Sequence, residues 1–248
     1  MRRWLGRTSA EPEATRAGPD GAPLALVYRG PASVPGCSEA VAELLSASRW
    51  GFAVRYVGPH EPHPLSAATL AGAAVYAQPG GADLGPAYRR LRKHRHDIRG
   101  YVQGGGRYLG FCLGGYLAGA TPGFKLLPGD TDQYVVSRGA TVRTTDDTLV
   151  EVCWGDDRRV LFFQDGPHFE ISADEGTTVM ATYPNGTVAA LVTGYGAGRV
   201  GVVGPHPEAT RDWFTDAGLP DPGRRRRDAA AARGQDLGLA LVDAVMSP

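Results

Sequence analysis

The chain has 248 residues, 42% of them hydrophobic, which suits one large domain with a sizeable core. Its 26 basic and 26 acidic residues balance, so no general field favours nucleic acid or an anionic membrane. The three cysteines, Cys37, Cys112 and Cys153, show no CxxC or Cys/His ligand spacing, which argues against both a disulfide framework and a zinc site.

Residues 1 to 22, rich in Arg, Glu, Pro, Gly and Ala without apolar periodicity, read as a disordered or loosely attached arm. "MRRWLGR" has the charge of a signal peptide's first region but no apolar stretch behind it, and no run is long and apolar enough to span a bilayer. A cytoplasmic protein is expected. From residue 23 to the end one domain is expected, with neither an internal repeat nor a second core.

"PLALVYRG" (23 to 30) reads as a buried strand and "SEAVAELLSASRW" (38 to 50) as a helix with Ser38 as its N-cap. "FAVRYVG" (52 to 58) is a second strand, "SAATLAG" (66 to 72) a short helix, and "AAVYAQPGG" (73 to 81) a third strand ending in a glycine loop. Residues 85 to 106 read as one helix with Pro86 near its first turn and glycines at its end. A fourth strand then leads into "GFCLGG", with a helix from about Leu113. This alternation is the signature of a parallel α/β sheet. The second half differs: residues 148 to 163 and 186 to 204 read as antiparallel hairpins with Gly/Asp turns, and 228 to 246 as a closing amphipathic helix.

Several patterns have structural readings. "GAGRVG" (196 to 201) spells a dinucleotide-binding motif but falls in a predicted hairpin, where no helix N-terminus could hold a pyrophosphate. "RRRR" (224 to 227) is a solvated lead-in to the last helix. His94 and His96 are two positions apart on a helix and point to different faces, and no metal is expected there or at His60 and His63.

The chemistry centres on "GFCLG". A nucleophile elbow is a turn so tight that the residues two before and two after the nucleophile must lack bulk, and Gly110-Phe-Cys112-Leu-Gly114 meets that need. The elbow sets the sulfur at a helix N-terminus, where free N–H groups favour negative charge. "VGVVGPHPEAT" (200 to 210) ends an apolar strand at His206, with Glu208 two residues on. Strand ends converge at the carboxyl edge of such a sheet. There His206 could take the Cys112 proton while Glu208 orients the ring. The loop "QPGGAD" (78 to 83) could bring backbone N–H groups beside that of Leu113 to form an oxyanion hole. "FFQDGPHFE" (162 to 170) is a polar turn that could instead reach over the elbow and offer Asp165 or His168 to a substrate.

"PGGAD", "YLGFCLGGYLAG" and "GYGAGRVGVVGPHPE", in this order, resemble the class I glutamine amidotransferase-like superfamily. More closely, they resemble the domain at the N-terminus of eukaryotic-type biotin–protein ligases, which also occurs as a stand-alone bacterial protein. The resemblance spans residues 23 to 246 and implies a flavodoxin-like three-layer α/β sandwich with a mainly parallel central sheet. It also implies a Cys112–His206–Glu208 triad, with Gly81 and Leu113 as oxyanion donors; Gly80, Asp83, Tyr116, Asp165 and His168 are candidate substrate contacts from their place around the elbow. No cofactor or metal is implied. Glutamine amidotransferases continue the elbow as GxCLGxQ, and Tyr116 occupies that Gln position, so glutaminase activity is not expected. Nor is biotin transfer, since no GRGR-type adenylate loop is present. The expected function is a cysteine hydrolase or acyl transferase acting on a small amide or ester. The alternatives are an amidotransferase subunit and a non-catalytic binding or regulatory module. A homodimer or a partner protein is compatible with each.

Overall fold

The computed structural model describes residues 21–171, 176–221 and 234–247. The expected N-terminal arm up to residue 20, the Arg224–Arg227 run and the first residues of the closing helix lie outside the described residues.

The strands are β1 (Leu24–Tyr28), β2 (Ala53–Val57), β3 (Val75–Gln78), β4 (Arg107–Phe111), β5 (Gly129–Gln133), β6 (Thr148–Trp154), β7 (Asp157–Phe163), β8 (Pro167–Ile171), β9 (Thr177–Thr182), β10 (Val188–Tyr195) and β11 (Gly198–Val203). They form one mixed sheet in the order β2-β1-β3-β4-β11-β10-β9-β6-β7, with β8 pairing β10 and β5 pairing β8 beside that path. From β2 to β11 every pairing is parallel. From β11 onward every pairing is antiparallel. The expected hairpins are β6–β7 and β10–β11, and "GAGRVG" is the turn of the second with the first four residues of β11.

The helices are α1 (Cys37–Ser46), α2 (Ala67–Ala71), α3 (Leu84–Leu91), α4 (Arg95–Gln103), α5 (Leu113–Ala118), α6 (Arg211–Asp216) and α7 (Gly234–Met246). Side chains alternate across a strand, so each parallel strand feeds two cores. Ala25 and Val27 join Val41, Leu44 and Leu45 of α1 and Leu241 and Val245 of α7 on one face. Leu26 and Tyr28 join Leu70 of α2, Leu91 of α3, Ile98 of α4 and Leu117 of α5 on the other.

Two local expectations change. Helix α1 begins one residue early, capped by Gly36. The Glu39 carboxylate accepts from the Gly36 N–H at 3.0 Å, which frees Ser38 to donate to the Tyr28 carbonyl at 2.8 Å. The single helix expected over 85 to 106 is broken by a 3-10 turn at Arg92–His94. Arg89, Arg92, Lys93, Arg95 and His96 would crowd like charges at three- and four-residue spacings in an uninterrupted helix.

Candidate active site

Strand β4 lies between β3 and β11, with Gly110 beside Gln78 on one side and Val202 on the other. The chain leaves it at Cys112, which adopts φ 47° and ψ −104° and is the N-cap residue of α5. For a residue with a Cβ this is a strained, left-handed-side conformation, and it is held from several directions. The Cys112 N–H donates to the Val203 carbonyl at 2.9 Å, and the buried Tyr108 hydroxyl donates to the Gly114 carbonyl at 2.7 Å. The flanking glycines are a steric requirement. A Cβ on Gly114 would overlap the Gln78 carbonyl oxygen, and one on Gly110 would overlap the Gly114 carbonyl. The first turn of α5 can therefore lie directly on the ends of β3 and β4.

His206 follows β11, and its N–H donates to the Phe162 carbonyl at 2.9 Å, an antiparallel bridge to β7. Its ring is packed by Phe162 and Trp213 and is 3% exposed. Nδ1 lies 2.9 Å from Glu208 Oε1, and the Glu208 side chain has no exposure. That contact leaves Nε2 as the ring nitrogen available to a substrate or to sulfur. Burial is the largest single influence on the ring and disfavours its charged form. Glu208 and Cys112 together outweigh it and hold the His206 pKa up, at about 10. The Cys112 sulfur makes its hydrogen bond to the Gln164 carbonyl, at 3.5 Å.

A cavity of about 650 Å³ opens on Cys112 and is lined by Gly81, Asp83, Leu113, Tyr116, Asp132, Gln133 and Asp165 among others. Among the described residues, neither the Gly81 nor the Leu113 N–H donates a hydrogen bond. A Cβ on Gly81 would overlap the Leu113 side chain, which packs directly on this loop. A second cavity, of about 370 Å³, reaches His206 and Glu208 from the side of α6 and α7.

The loop after β7 does reach the elbow. Asp165 has φ 47°, its carbonyl accepts from the Tyr116 hydroxyl at 3.0 Å, and its carboxylate accepts from Gln133 Nε2 at 2.9 and 3.1 Å. Burial, opposed by the Gln133 hydrogen bond and aided by Asp83, raises the Asp165 pKa. Burial foremost, then Cys112, Asp165 and Asp132, pushes the Tyr116 phenol up.

His168 is a correction. It does not line the Cys112 cavity, because the turn ends at Gly166 and His168 belongs to β8, where it pairs opposite Asp132 of β5. Gly80 touches the site through packing, since a Cβ there would lie 2.8 Å from the His206 ring and 3.2 Å from Cys37 Sγ.

Cys37 is the site residue that sequence reasoning missed. It is 5% exposed, and burial, then the charges of Glu208 and Cys112, push its thiol pKa up, so it stays protonated. The signal available was its place at the start of α1, where the chain enters from the loop after β1, at the same carboxyl edge of the sheet as the other site residues.

Residues 24–139, just under half of the chain, match the family model described as "Biotin-protein ligase, N terminal". That span includes Cys112 and ends before His206. No curated protein matches the chain in sequence. Among solved structures, a Thermoplasma acidophilum protein described as a GMP synthase subunit is similar, at 13% identity and a TM-score of 0.51, covering 78% of this chain and 92% of its own. The exo-β-1,4-mannosidase Op5Man5 from Opitutaceae bacterium strain TAV5 is similar at 14% identity and a TM-score of 0.51, covering 91% of this chain. This chain spans only 36% of that enzyme. At such identities the structural likenesses speak to fold alone. With the family match over part of the chain, they fit a mixed α/β fold.

Proposed function

We propose that the chain is a cysteine-dependent hydrolase or acyl transferase of a flavodoxin-like, glutamine amidotransferase-like fold, acting on a small amide or ester. The parallel order β2-β1-β3-β4-β11, with apolar clusters on both faces, supports the three-layer reading. The observation that carries the activity is one convergence. A cysteine on a strained elbow opens on a cavity where the Gly81 and Leu113 amides stand unengaged, and it is coupled by charge to the buried His206–Glu208 pair that the second cavity reaches.

In this reading His206 Nε2 already carries the Cys112 proton, and the sulfur attacks the substrate carbonyl carbon as a thiolate beside an imidazolium that Glu208 stabilises. The Gly81 and Leu113 N–H groups face the tetrahedral oxyanion. Collapse breaks the bond to the leaving amine or alkoxide, which receives the proton from His206 and departs, leaving a thioester on Cys112. Water, or an acceptor amine or alcohol, then gives its proton to His206 and attacks the thioester. The sulfur leaves as thiolate and the proton stays on His206, which restores the starting pair.

Among the described residues, the cavity lining includes Asp83, Asp132 and Asp165 and no lysine or arginine, which suits a neutral or cationic substrate over an anionic one. Tyr116, where an amidotransferase carries Gln, presents a hydroxyl already committed to the Asp165 carbonyl, which speaks against glutamine as substrate. A non-catalytic binding module is the second reading. It is favoured by the direction of the Cys112 sulfur, which points at the Gln164 carbonyl in a pocket where the residue is 5% exposed.

The test is intact-mass detection of an acyl adduct from a panel of small activated esters and amides, with glutamine as one arm. An adduct on Cys112 with neutral or cationic acyl groups, absent in Cys112→Ala, and little ammonia from glutamine are the expected results. Robust glutamine turnover would promote the amidotransferase reading. No adduct from any member of the panel would leave the binding module as the better description.

A further inference from the structure

His168, displaced from the elbow by the pairing of β5 with β8, stands in a cluster of its own. Directly opposed residues of an antiparallel pair share a face, as do residues two apart on one strand. Asp132 opposes His168, and Glu170 lies two residues along β8, so all three side chains emerge on one face. One ligand atom from each lies within 4.8 Å of the other two. Metal–ligand bonds of about 2 Å put the donors around one ion roughly 3 to 4 Å apart, so a small closure would bring these three onto a cation.

A second observation points to a ligand. His168 is 6% exposed, and among the described residues its ring makes no hydrogen bond. This largely buried imidazole thus has no protein partner among the described residues, beside two carboxylates that do not hydrogen-bond to it, and a ligand entering from the solvent side would supply one. The nearby Asp130 is already occupied, its Oδ1 accepting from the Ala120, Thr121 and Thr131 N–H groups. Asp132 Oδ1 accepts from the Gln133 N–H at 2.7 Å, which leaves its other oxygen for a ligand role.

We propose that Asp132, His168 and Glu170 bind a divalent transition cation, separate from the Cys112 centre. One imidazole and two carboxylates are a borderline donor set that suits zinc and its neighbours, while magnesium and calcium prefer all-oxygen cages. Water would complete the coordination. Among the described residues β5 pairs only with β8, so the ion would pin an edge strand to the sheet. Asp132 also lines the Cys112 cavity, so a bound cation would cancel one of that cavity's negative charges.

Calorimetric titration of the whole protein with Zn²⁺, and with Co²⁺ to follow its d–d absorption, tests the site. One equivalent should bind, with excess Mg²⁺ failing to compete and the cobalt spectrum free of thiolate charge transfer. Cys112→Ser should bind equally well, which separates this site from the thiol and imidazole of the elbow. His168→Ala and the exposed-site variant Asp132→Asn should each weaken binding at least tenfold. Absence of saturable binding, binding unchanged in Asp132→Asn and His168→Ala, or loss of binding in Cys112→Ser would each overturn the proposal.

Discussion

The two halves of the sheet solve different problems. The parallel half, β2-β1-β3-β4-β11, is covered on both faces, and most of its strands are apolar runs such as LALVY and GRVGVV. The antiparallel part includes strands with charged or exposed positions, such as GDTDQ in β5 and PHFEI in β8. The parallel half supplies the elbow and leads to His206. The antiparallel part supplies the Phe162 bridge that fixes His206 and the Gln164–Asp165 loop against Cys112 and Tyr116. A buried, close-packed half thus places Cys112 and His206, and a half-exposed one shapes what surrounds them.

That contrast can be broken most severely at Gly114. Gly114→Ala should cost about 3 kcal/mol, the upper end for overpacking, because the new Cβ meets the β3 backbone instead of a movable side chain. Urea denaturation measures it, and a loss well under 1 kcal/mol would show that the elbow is not packed as described. Glu208→Gln should keep the fold and slow iodoacetamide labelling of Cys112 by roughly tenfold to a hundredfold, because the orienting charge on His206 is gone. Peptide mapping reads this rate against the more accessible Cys153. Labelling of wild-type protein that favours Cys37 or Cys153 would argue against the elbow altogether.

A third test uses pH. The folded His206 pKa of about 10 lies above the ordinary histidine value of about 6.5. The folded state therefore binds the proton more tightly than the unfolded chain does. The stabilisation is complete below about pH 6.5 and is lost as pH rises through about 10. Denaturation midpoints should fall across that window, and Glu208→Gln should flatten the fall. A wild-type midpoint that holds constant up to pH 10 would mean that the ring is not held protonated. The smallest effect belongs to the antiparallel part. Gly194→Ala in β10 meets no atom within 4 Å, so it should gain about 0.4–1 kcal/mol through the unfolded state. Destabilisation there would mean that this part is packed as tightly as the elbow.

Legibility followed the same division. Strands β1 to β4 and the β10–β11 hairpin were readable because apolar runs and Gly turns are local signals. The strands off the main path, β5 and β8, were not, since GDTDQ and PHFEI carry no alternation strong enough to mark a strand. At the site, the spacing of Gly110, Cys112 and Gly114 was readable for a steric reason: the elbow leaves no room for a Cβ on either flank. His206 and Glu208 were readable because they follow an apolar strand whose carboxyl end belongs with the others.

Residue order along one segment therefore decided the elbow, the His-Pro-Glu turn and the order of most elements, because each rests on contacts within a few positions. Tertiary pairing alone decided that Cys37 lies beside His206 and that His168 faces Asp132 instead of the Cys112 cavity. Those juxtapositions depend on strand register, where a slip of one residue turns every side chain to the opposite face, and no local pattern in GDTDQ or PHFEI sets that register.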